Sequence, residues 1–526
     1  MPAASCRRRR RLGGLLALPL AALVAACSAA PPQPPPSAEV TPTRAPSLPA
    51  EGRPVGPIPA VRPSGLADPP PGTGLDRYRR QRLDWRPCTE QLLCATVLAP
   101  LDYDDPDGTA LTLALAKRVA TAPGRVGSLF VNPGGPGGSG RGYVARFDTR
   151  GLERYDLVGW DPRGVGGSTP VRCFGAVDLD RYLSVDDSPD DRAEEQTQLA
   201  EAYAFGQSCL ERSGTLLEHI STVATARDLE LLRGLVGDHK LHYFGASYGT
   251  KIGALYAELY PARVGRLVLD GAVNVTGQEV SQLEGFERAL GHFATWAADP
   301  AQGRPLGDTR GEVLSRVGAI LRRLDGTPLP VPGGRVLSQQ QGVQGVLDPL
   351  YRRADWPVLL RALARAAVGE GEGLLALADA GNFRAADGSY GQIQYAFPAI
   401  RCLDSREVSV AAARRKAART AEGARVLGPL SGPDLLCPVW PVPPAPKEPR
   451  ITAEGAGPIV VLGTTGDPAT PYEDAQGMAR QLASGVLVTL AGEGHTAYSQ
   501  SSCIRGVVQA YLVGGVVPAE GTRCTS

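Results

Sequence analysis

The sequence lacks a dominant charge: its formal net charge over 526 residues is +1 at pH 7. A chain without a strong overall field has no general electrostatic attraction for nucleic acid or for a membrane surface. The sequence also contains neither an HExxH motif nor a CxxC pair, and its five histidines are scattered. We therefore predict no nucleic-acid partner and no metal site.

Long apolar runs are also scarce. The N-terminal run at residues 12–26 follows a basic stretch at 7–11 and is shorter than the about 20 residues that span a bilayer. This arrangement predicts a signal peptide over residues 1–26. Its end, Val24-Ala25-Ala26-Cys27, is similar to a bacterial lipobox, which predicts a lipid anchor on Cys27 and a protein held at the membrane outside the cytoplasm. An ordinary signal peptide, giving a secreted protein, is the alternative.

Residues 27–76 are dense in proline and contain few large apolar side chains. Such a segment cannot bury enough surface to fold. Proline runs favour extended backbone, so we predict a spacer between the anchor and the folded part of the chain.

Ten cysteines are present, and two of them, Cys6 and Cys27, belong to the signal region. The remaining eight form an even number in a chain predicted to be exported, which indicates disulfides. Proximity along the chain favours sequential pairing, although other connectivities are open. The predicted pairs are Cys88/Cys94, Cys173/Cys209, Cys402/Cys437 and Cys503/Cys524.

Short apolar runs alternate with helical patterns in the rest of the chain, which predicts a mostly parallel sheet covered by helices on both faces. Between residues 276 and 395 this alternation gives way to helix-leaning segments. We predict a helical lid inserted between two parts of one core, at 77–275 and 396–526; an independent helical domain is the alternative. The predicted strands are 111–119, 128–132, 155–160, 241–244, 266–269, 459–463 and 486–490, and the main helices 223–235, 248–260 and 472–482.

The central motif is Gly245-Ala246-Ser247-Tyr248-Gly249, which directly follows a predicted strand and precedes a predicted helix. A strand that turns abruptly into a helix exposes the serine hydroxyl above the sheet, as in the α/β-hydrolase fold. The helix N-terminus behind Ser247 also favours developing negative charge. We predict that Ser247 is a nucleophile; an inert serine in a small-residue turn is the alternative.

A serine hydroxyl requires a base, and in this fold an acid and a histidine follow the serine along the chain. Asp467 lies in a glycine turn after one predicted strand, and His495 follows the next. The other histidine beyond the motif, His292, falls in the predicted lid. Glu473 and Asp474 compete with Asp467 but begin a predicted helix. Thr470 is suitably spaced to hydrogen-bond the Asp467 carboxylate, although an ordinary turn hydroxyl is equally consistent with the pattern.

The glycine-rich loop at 132–140 predicts the oxyanion hole, formed by the backbone amides of Gly135 and Tyr248. The same loop formally matches a dinucleotide fingerprint, Gly135-x-Gly137-x-x-Gly140, with Asp161 about 20 residues beyond. The proline inside the turn and the absence of a first-strand position weigh against that oxidoreductase alternative. We interpret Asp161 as closing a structural turn.

The loop at 132–140, the segment 155–166, the Gly-Ala-Ser-Tyr-Gly motif and the segment around Asp467 resemble the actinobacterial tripeptidyl aminopeptidases, which are related to the proline iminopeptidases of the S33 peptidase family. Residues 399–404 also resemble a family stretch that follows the lid. The resemblance covers about residues 80–526 and is weakest in the lid. A cysteine pair that relatives often carry near residues 293–296 is absent here.

This resemblance implies a triad of Ser247, Asp467 and His495 that releases short peptides from free N-termini without a cofactor. An exopeptidase of this kind needs a carboxylate for the substrate ammonium, and the candidates are Glu284, Glu287 and Asp404. Each of the three is also consistent with an ordinary surface charge. The alternatives for the whole protein are an esterase or lipase on the same scaffold, or a non-catalytic surface lipoprotein.

Overall fold

Continuous apolar runs form the central strands of the computed structural model, which describes residues 53, 55–59, 62–273, 275, 277, 280–407 and 409–525. The predicted signal peptide, Cys27 and most of the predicted spacer lie outside these residues. Within the described ranges, no helix combines the length and the apolar character that crossing a membrane requires. The strands are β1 (Leu66–Ala67), β2 (Arg86–Pro87), β3 (Leu93–Pro100), β4 (Ala110–Arg118), β5 (Gly127–Asn132), β6 (Tyr155–Asp161), β7 (Leu241–Ala246), β8 (Val264–Asp270), β9 (Leu329–Pro330), β10 (Val336–Leu337), β11 (Ile459–Gly466), β12 (Gly485–Glu493) and β13 (Arg523–Thr525).

The α-helices of the same residues are α1 (Gly74–Arg79), α2 (Gly140–Arg146), α3 (Ala176–Tyr182), α4 (Arg192–Ser213), α5 (Thr222–Leu235), α6 (Gly249–Leu259), α7 (Gln282–Ala297), α8 (Arg310–Gly326), α9 (Gln339–Leu350), α10 (Trp356–Ala367), α11 (Glu372–Gly381), α12 (Ile393–Asp404), α13 (Val410–Glu422), α14 (Tyr472–Gln481) and α15 (Ser502–Gly514). Every strand and main helix predicted from the sequence is present, with ends that differ by a few residues. Strand β3 and helix α4 were not predicted.

The main sheet has the strand order β13-β12-β11-β8-β7-β5-β6-β4-β3-β2, with β1 paired to β4. Strands β13 through β6 in this order run parallel, and β4, β3 and β2 continue the sheet antiparallel. Alternate side chains of the central strands enter different hydrophobic clusters: Tyr243 packs in one and Phe244 in another. The sheet is therefore buried on both faces, as parallel sheets require. The predicted fold class, an α/β-hydrolase fold, is confirmed.

The predicted lid region contains helices α7 to α11 and a small hairpin, β9–β10, which was not predicted. These helices surround a hydrophobic cluster of their own that includes Phe293 and Trp356. Ala469, two residues after Asp467, belongs to the same cluster. The helices therefore pack against the loop that carries the predicted acid.

The structure contains four disulfides, and all four join the cysteines that sequential pairing predicted. One links the segment after β6 to α4, and another links α12 to the segment that follows α13. The four cysteines of these two bonds are buried in the hydrophobic cluster that contains Tyr243, so the bonds fasten these segments to the main core. The pairs are Cys88–Cys94, Cys173–Cys209, Cys402–Cys437 and Cys503–Cys524.

Candidate active site

The predicted nucleophile lies at the tight turn between β7 and α6. Ser247 has a φ of 55°, in the left-handed region that residues with a Cβ rarely adopt. Its amide donates a 2.8 Å hydrogen bond to the carbonyl of Asp270, at the end of β8. A Cβ at Gly245 would lie 2.4 Å from the carbonyl oxygen of Gly249, so this position requires glycine. The serine is thus held in the strained strand-to-helix turn that a nucleophile elbow requires.

The sheet order explains how residues far apart in the sequence reach one place. Ser247, Asp467 and His495 follow strands β7, β11 and β12, and β8 lies between β7 and β11. These four strands are adjacent and parallel. Because the carboxyl ends of parallel strands share one edge of the sheet, the three residues lie on neighbouring loops there.

The acid and the base are directly bonded. Nδ1 of His495 lies 2.9 and 3.0 Å from the two carboxylate oxygens of Asp467. The Asp467 side chain is buried, at 4% exposure for the residue, and also accepts hydrogen bonds from the amides of Ala469, Thr470 and Thr496. Burial alone would lower the pKa of His495, but the charge and hydrogen bond of Asp467 outweigh it and raise that pKa above its ordinary value. This arrangement fixes the ring and leaves Nε2 for proton transfer.

Two further residues, Tyr351 and Thr470, contact His495. The backbone amide of His495 donates to the carbonyl of Tyr351 at 2.8 Å, and the Tyr351 ring stands edge-on to the imidazole at 5.4 Å between centroids. The Thr470 amide, not its hydroxyl, binds the Asp467 carboxylate; the hydroxyl lies 3.3 Å from Nδ1 of His495. Tyr351 comes from the inserted helical region, so that region supports the base directly.

Sequence reasoning missed Asp270, a second buried carboxylate behind the base. Asp270 is 1% exposed and accepts hydrogen bonds from the amides of Ala497 (2.7 Å) and Tyr498 (2.9 Å), in the loop that begins with His495. Burial raises its pKa from 3.8 to about 6, although these two amides act in the opposite direction. Its position at the carboxyl end of a buried strand was a signal that could have identified it.

The predicted oxyanion loop lies against the elbow. A Cβ at Gly134 would lie 2.5 Å from the carbonyl oxygen of Ala246 and 2.8 Å from the amide nitrogen of Tyr248. Among the described residues, neither the Gly135 amide nor the Tyr248 amide donates a hydrogen bond. Two backbone donors on adjoining turns are thus available to a developing oxyanion.

Asp161 anchors the other end of that loop. Its carboxylate accepts hydrogen bonds from the hydroxyl of Ser139 at 2.6 Å, the amide of Arg141 at 3.2 Å and the amide of Gly167 at 2.8 Å. A carboxylate bonded in this way is not available to a ribose hydroxyl, and the fold is that of a hydrolase. The dinucleotide alternative is therefore wrong, and Asp161 has the structural role predicted for it.

Glu473 and His292, the alternatives to Asp467 and His495 in the sequence, form contacts elsewhere. Glu473 accepts a hydrogen bond from Arg288 at 2.7 Å, and it begins α14 together with Asp474. Nδ1 of His292 lies 2.8 Å from Glu493. Neither Glu473 nor His292 is joined to Ser247 or His495 by these bonds, which leaves Asp467 and His495 as the bonded acid and base.

The two lid carboxylates predicted to bind a substrate ammonium are engaged within the chain. Glu284 caps the start of α7, where its carboxylate accepts from the amide and hydroxyl of Ser281. Glu287 accepts from the amides of Val426 and Leu427 at 3.0–3.2 Å. Glu284 therefore stabilises the start of α7, and Glu287 ties α7 to the segment after α13.

Asp404 is also engaged, behind the elbow. Its carboxylate accepts from the amide of Thr222 at 3.2 Å and from its hydroxyl, and lies 3.6 Å from Nζ of Lys251. Lys251 pairs in turn with Glu448 at 2.7 Å, and the hydroxyl oxygens of Thr222 and Tyr248 are 2.5 Å apart. The cluster binds α12 to α5 and α6, so Asp404 has hydrogen-bond and ion-pair partners within the chain, although it shares Lys251 with Glu448.

Comparison with known proteins gives a consistent family. A family model described as a TAP-like protein matches residues 426–524. The serine protease Hip1 of Mycobacterium tuberculosis is 36% identical over 84% of this chain and 91% of its own length. Carboxylesterase B of the same species is 37% identical over 82% of this chain and 86% of its own. The tripeptidyl aminopeptidase of Streptomyces coelicolor is 29% identical over 85% of this chain and 87% of its own.

The matched family region contains Asp467 and His495, and the relatives extend over most of the folded chain. Their names describe hydrolases that act on peptides or esters, and the fold and the elbow are those of a serine hydrolase. The chain therefore belongs to the tripeptidyl aminopeptidase-like serine hydrolases of the S33 family, which have the α/β-hydrolase fold.

Proposed function

We propose that the protein is an exported serine exopeptidase that releases short peptides, tripeptides in particular, from free N-termini. The observation that carries this proposal is the bonded pair of Asp467 and His495 beside the strained turn at Ser247. The tripeptidyl aminopeptidase among the relatives favours peptides as the substrate class. No cofactor takes part in the proposed reaction.

The proposed reaction is acyl transfer in two steps. The Ser247 oxygen attacks the scissile carbonyl carbon while Nε2 of His495 takes the hydroxyl proton, and the Asp467 carboxylate stabilises the resulting imidazolium. The amides of Gly135 and Tyr248 bind the oxyanion. When the tetrahedral intermediate collapses, the C–N bond breaks and His495 gives its proton to the leaving amine. Water then attacks the acyl-enzyme by the same route and regenerates Ser247.

An esterase is the second candidate, because a relative of similar identity is named a carboxylesterase. Three substrates separate the two: a free-amine tripeptide anilide, its N-acetylated form and a simple p-nitrophenyl ester. We expect the free-amine anilide to be cleaved with the highest kcat/KM. Equal rates on the blocked and free peptides would refute the exopeptidase proposal.

The nucleophile is tested with a fluorophosphonate probe. We expect wild-type protein to be labelled at Ser247 and the Ser247→Ala variant to be unlabelled and inactive, with Ser64→Ala, at an exposed turn, as a serine control. Labelling of Ser247→Ala would overturn the assignment. Absence of labelling in the wild type would instead favour a non-catalytic lipoprotein.

Cys27 is proposed as the lipid anchor. Cells that express the full chain should incorporate a labelled fatty acid into the protein, and Cys27→Ala should abolish that incorporation, whereas Cys6→Ala should not. Equal labelling of the wild type and Cys27→Ala would leave a secreted protein as the better interpretation.

A further inference from the structure

A cavity of about 440 Å³ lies between the segment after α3, helices α4, α9 and α12, and residues 430–436. Much of its wall is apolar, with Leu183, Val343, Leu347 and Phe397 among the lining side chains. A volume of this size is typical of small-ligand sites. The cavity can therefore hold an apolar amino-acid side chain.

The polar part of the wall carries one carboxylate that forms no ion pair with the described residues. Asp187 lines the cavity, and the hydrogen bond donated to its carboxylate comes from Nε2 of Gln198, a neutral group 3.4 Å away. The other charged lining residues, Arg401 and Asp434, form an ion pair with each other. Burial raises the pKa of Asp187 to about 6. The cavity thus has one negative charge in excess when Asp187 is ionised.

Gln198 adds an unpaired acceptor at the same place. The residue is 7% exposed and lines the cavity, and its Nε2 also donates to the carbonyl of Pro433 at 3.2 Å. Its Oε1 atom is buried and accepts no hydrogen bond from the described residues. A buried acceptor without a donor is unfavourable. A carboxylate and an amide oxygen together match an ammonium group, which offers three donors and no acceptor.

The cavity adjoins the predicted oxyanion loop through α12. On one side of α12, Cδ1 of Ile393 would lie 3.3 Å from a Cβ at Gly135, and the amide nitrogen of Phe397 would lie 3.0 Å from a Cβ at Gly137. The side chain of Phe397, 39% exposed, lines the cavity. A bound group in the cavity is therefore separated from the oxyanion loop by the width of one helix segment.

We propose that this cavity binds the N-terminal residue of the substrate, with its α-ammonium on Asp187 and Gln198 and its side chain against the apolar wall. This inference rests on the proposed exopeptidase function, for which it supplies the carboxylate that Glu284, Glu287 and Asp404 do not. The same ammonium chemistry occurs in a lysine side chain. A substrate with a blocked N-terminus and an internal lysine distinguishes the two sources.

The test compares Asp187→Asn with wild type and with Asp190→Asn, an exposed carboxylate three residues away. The substrates are a free-amine tripeptide anilide with an apolar first residue, its N-acetylated form, an N-acetylated form that contains lysine, and p-nitrophenyl acetate. Asp187→Asn should lower kcat/KM for the free-amine peptide by about 10- to 100-fold, mainly through KM, because a hydrogen bond to a charged group is lost. Hydrolysis of the ester should not change.

Each outcome decides between structural and binding roles. Equal losses on the ester and on the free-amine peptide would overturn the inference, because they would indicate a damaged fold. An unchanged KM for the free-amine peptide in Asp187→Asn would overturn it while leaving the exopeptidase function in place. A loss of kcat/KM confined to the lysine-containing substrate would overturn the N-terminal assignment, because it would indicate that the cavity binds a lysine ammonium. If the wild type does not cleave the free-amine peptide, the proposed function itself fails.

Discussion

The replacement of Asp270 by asparagine tests how a buried carboxylate supports the histidine loop. Asp270 is 1% exposed, and its pKa rises from 3.8 in its ordinary state to about 6 in the fold. The folded state binds the proton of the Asp270 carboxyl more tightly than the unfolded chain does. The contribution of this protonation to the free energy of unfolding is therefore complete below about pH 4 and is lost as the pH rises through about 6. The difference between the two pKa values corresponds to about 3 kcal/mol of unfolding free energy.

Asparagine has nearly the shape of the protonated acid and does not titrate. Asp270→Asn should therefore match the wild type in stability near pH 4 and exceed it by about 3 kcal/mol above pH 7. Activity should change in the opposite direction. An asparagine side chain has one acceptor oxygen, so its NH2 group must face the amide of Ala497 or that of Tyr498 and cannot accept a hydrogen bond from it. A displaced histidine loop should then lower kcat at least about 10-fold.

Urea denaturation of both proteins from pH 4 to pH 8 measures the stability difference, and p-nitrophenyl acetate hydrolysis measures kcat. Asp190→Asn, which removes an exposed carboxylate, is the control and should show neither effect. A stability difference between Asp270→Asn and wild type that does not vary with pH would refute the assigned titration. An unchanged kcat would refute the role in holding the histidine loop.

Three further predictions follow from single contacts. Gly134→Ala should lower kcat by about 100- to 1000-fold, because the added Cβ would collide with the elbow. A loss of this size is typical of one oxyanion donor. Gly237→Ala is the control in kinetic assays, because Gly237 has a similar positive φ but open space around it. Asp467→Asn should lower kcat by about 10⁴-fold and move the acid limb of the pH–rate profile to lower pH, since the carboxylate raises the pKa of His495, the proposed base. Replacement of Cys173 and Cys209 together by serine should lower the unfolding free energy by about 3–4 kcal/mol, as expected for a loop of 36 residues, and urea denaturation with and without a reductant measures it.

The sheet was predictable because its strands are buried on both faces. Such strands are short continuous apolar runs, and turn residues mark their ends. Helix α4 was missed because its buried residues mix apolar side chains, such as Phe205 and Leu210, with small or polar ones, such as Gln198 and Ser208. Without an apolar stripe, 22 residues of helix have no clear period in the sequence. Its capping box at Asp191 and Glu194 was the available signal.

The candidate site was predictable only where function follows position along a strand. Ser247, Asp467 and His495 each lie directly after a strand, so the pattern indicated them. Asp270 also ends a strand, but its relation to His495 depends on β8 lying next to β11, which is a property of the sheet order. No local pattern in the sequence specifies that neighbour.

The carboxylates proposed from the sequence for the ammonium illustrate a different limit. Position near a lid says nothing about which carboxylates the chain has already neutralised. Glu287 accepts from two backbone amides and Asp404 lies 3.6 Å from Nζ of Lys251, whereas the donor to Asp187 among the described residues is one side-chain amide 3.4 Å away. Availability, not mere presence, determines which carboxylate can bind a cation, and availability is a property of the packed structure.

Residues of the predicted lid directly contact the loops that carry Asp467 and His495. Tyr351 accepts from the amide of His495, Gln282 donates to the carbonyl of Ala469, and Gly285 packs where a Cβ would lie 2.5 Å from the carbonyl oxygen of Pro468. A movement of α7 or of the end of α9 would therefore disturb the acid and base loops themselves. Substrate entry that required α7 to move would disturb the loops of Asp467 and His495, so we expect access to the site to leave α7 in place.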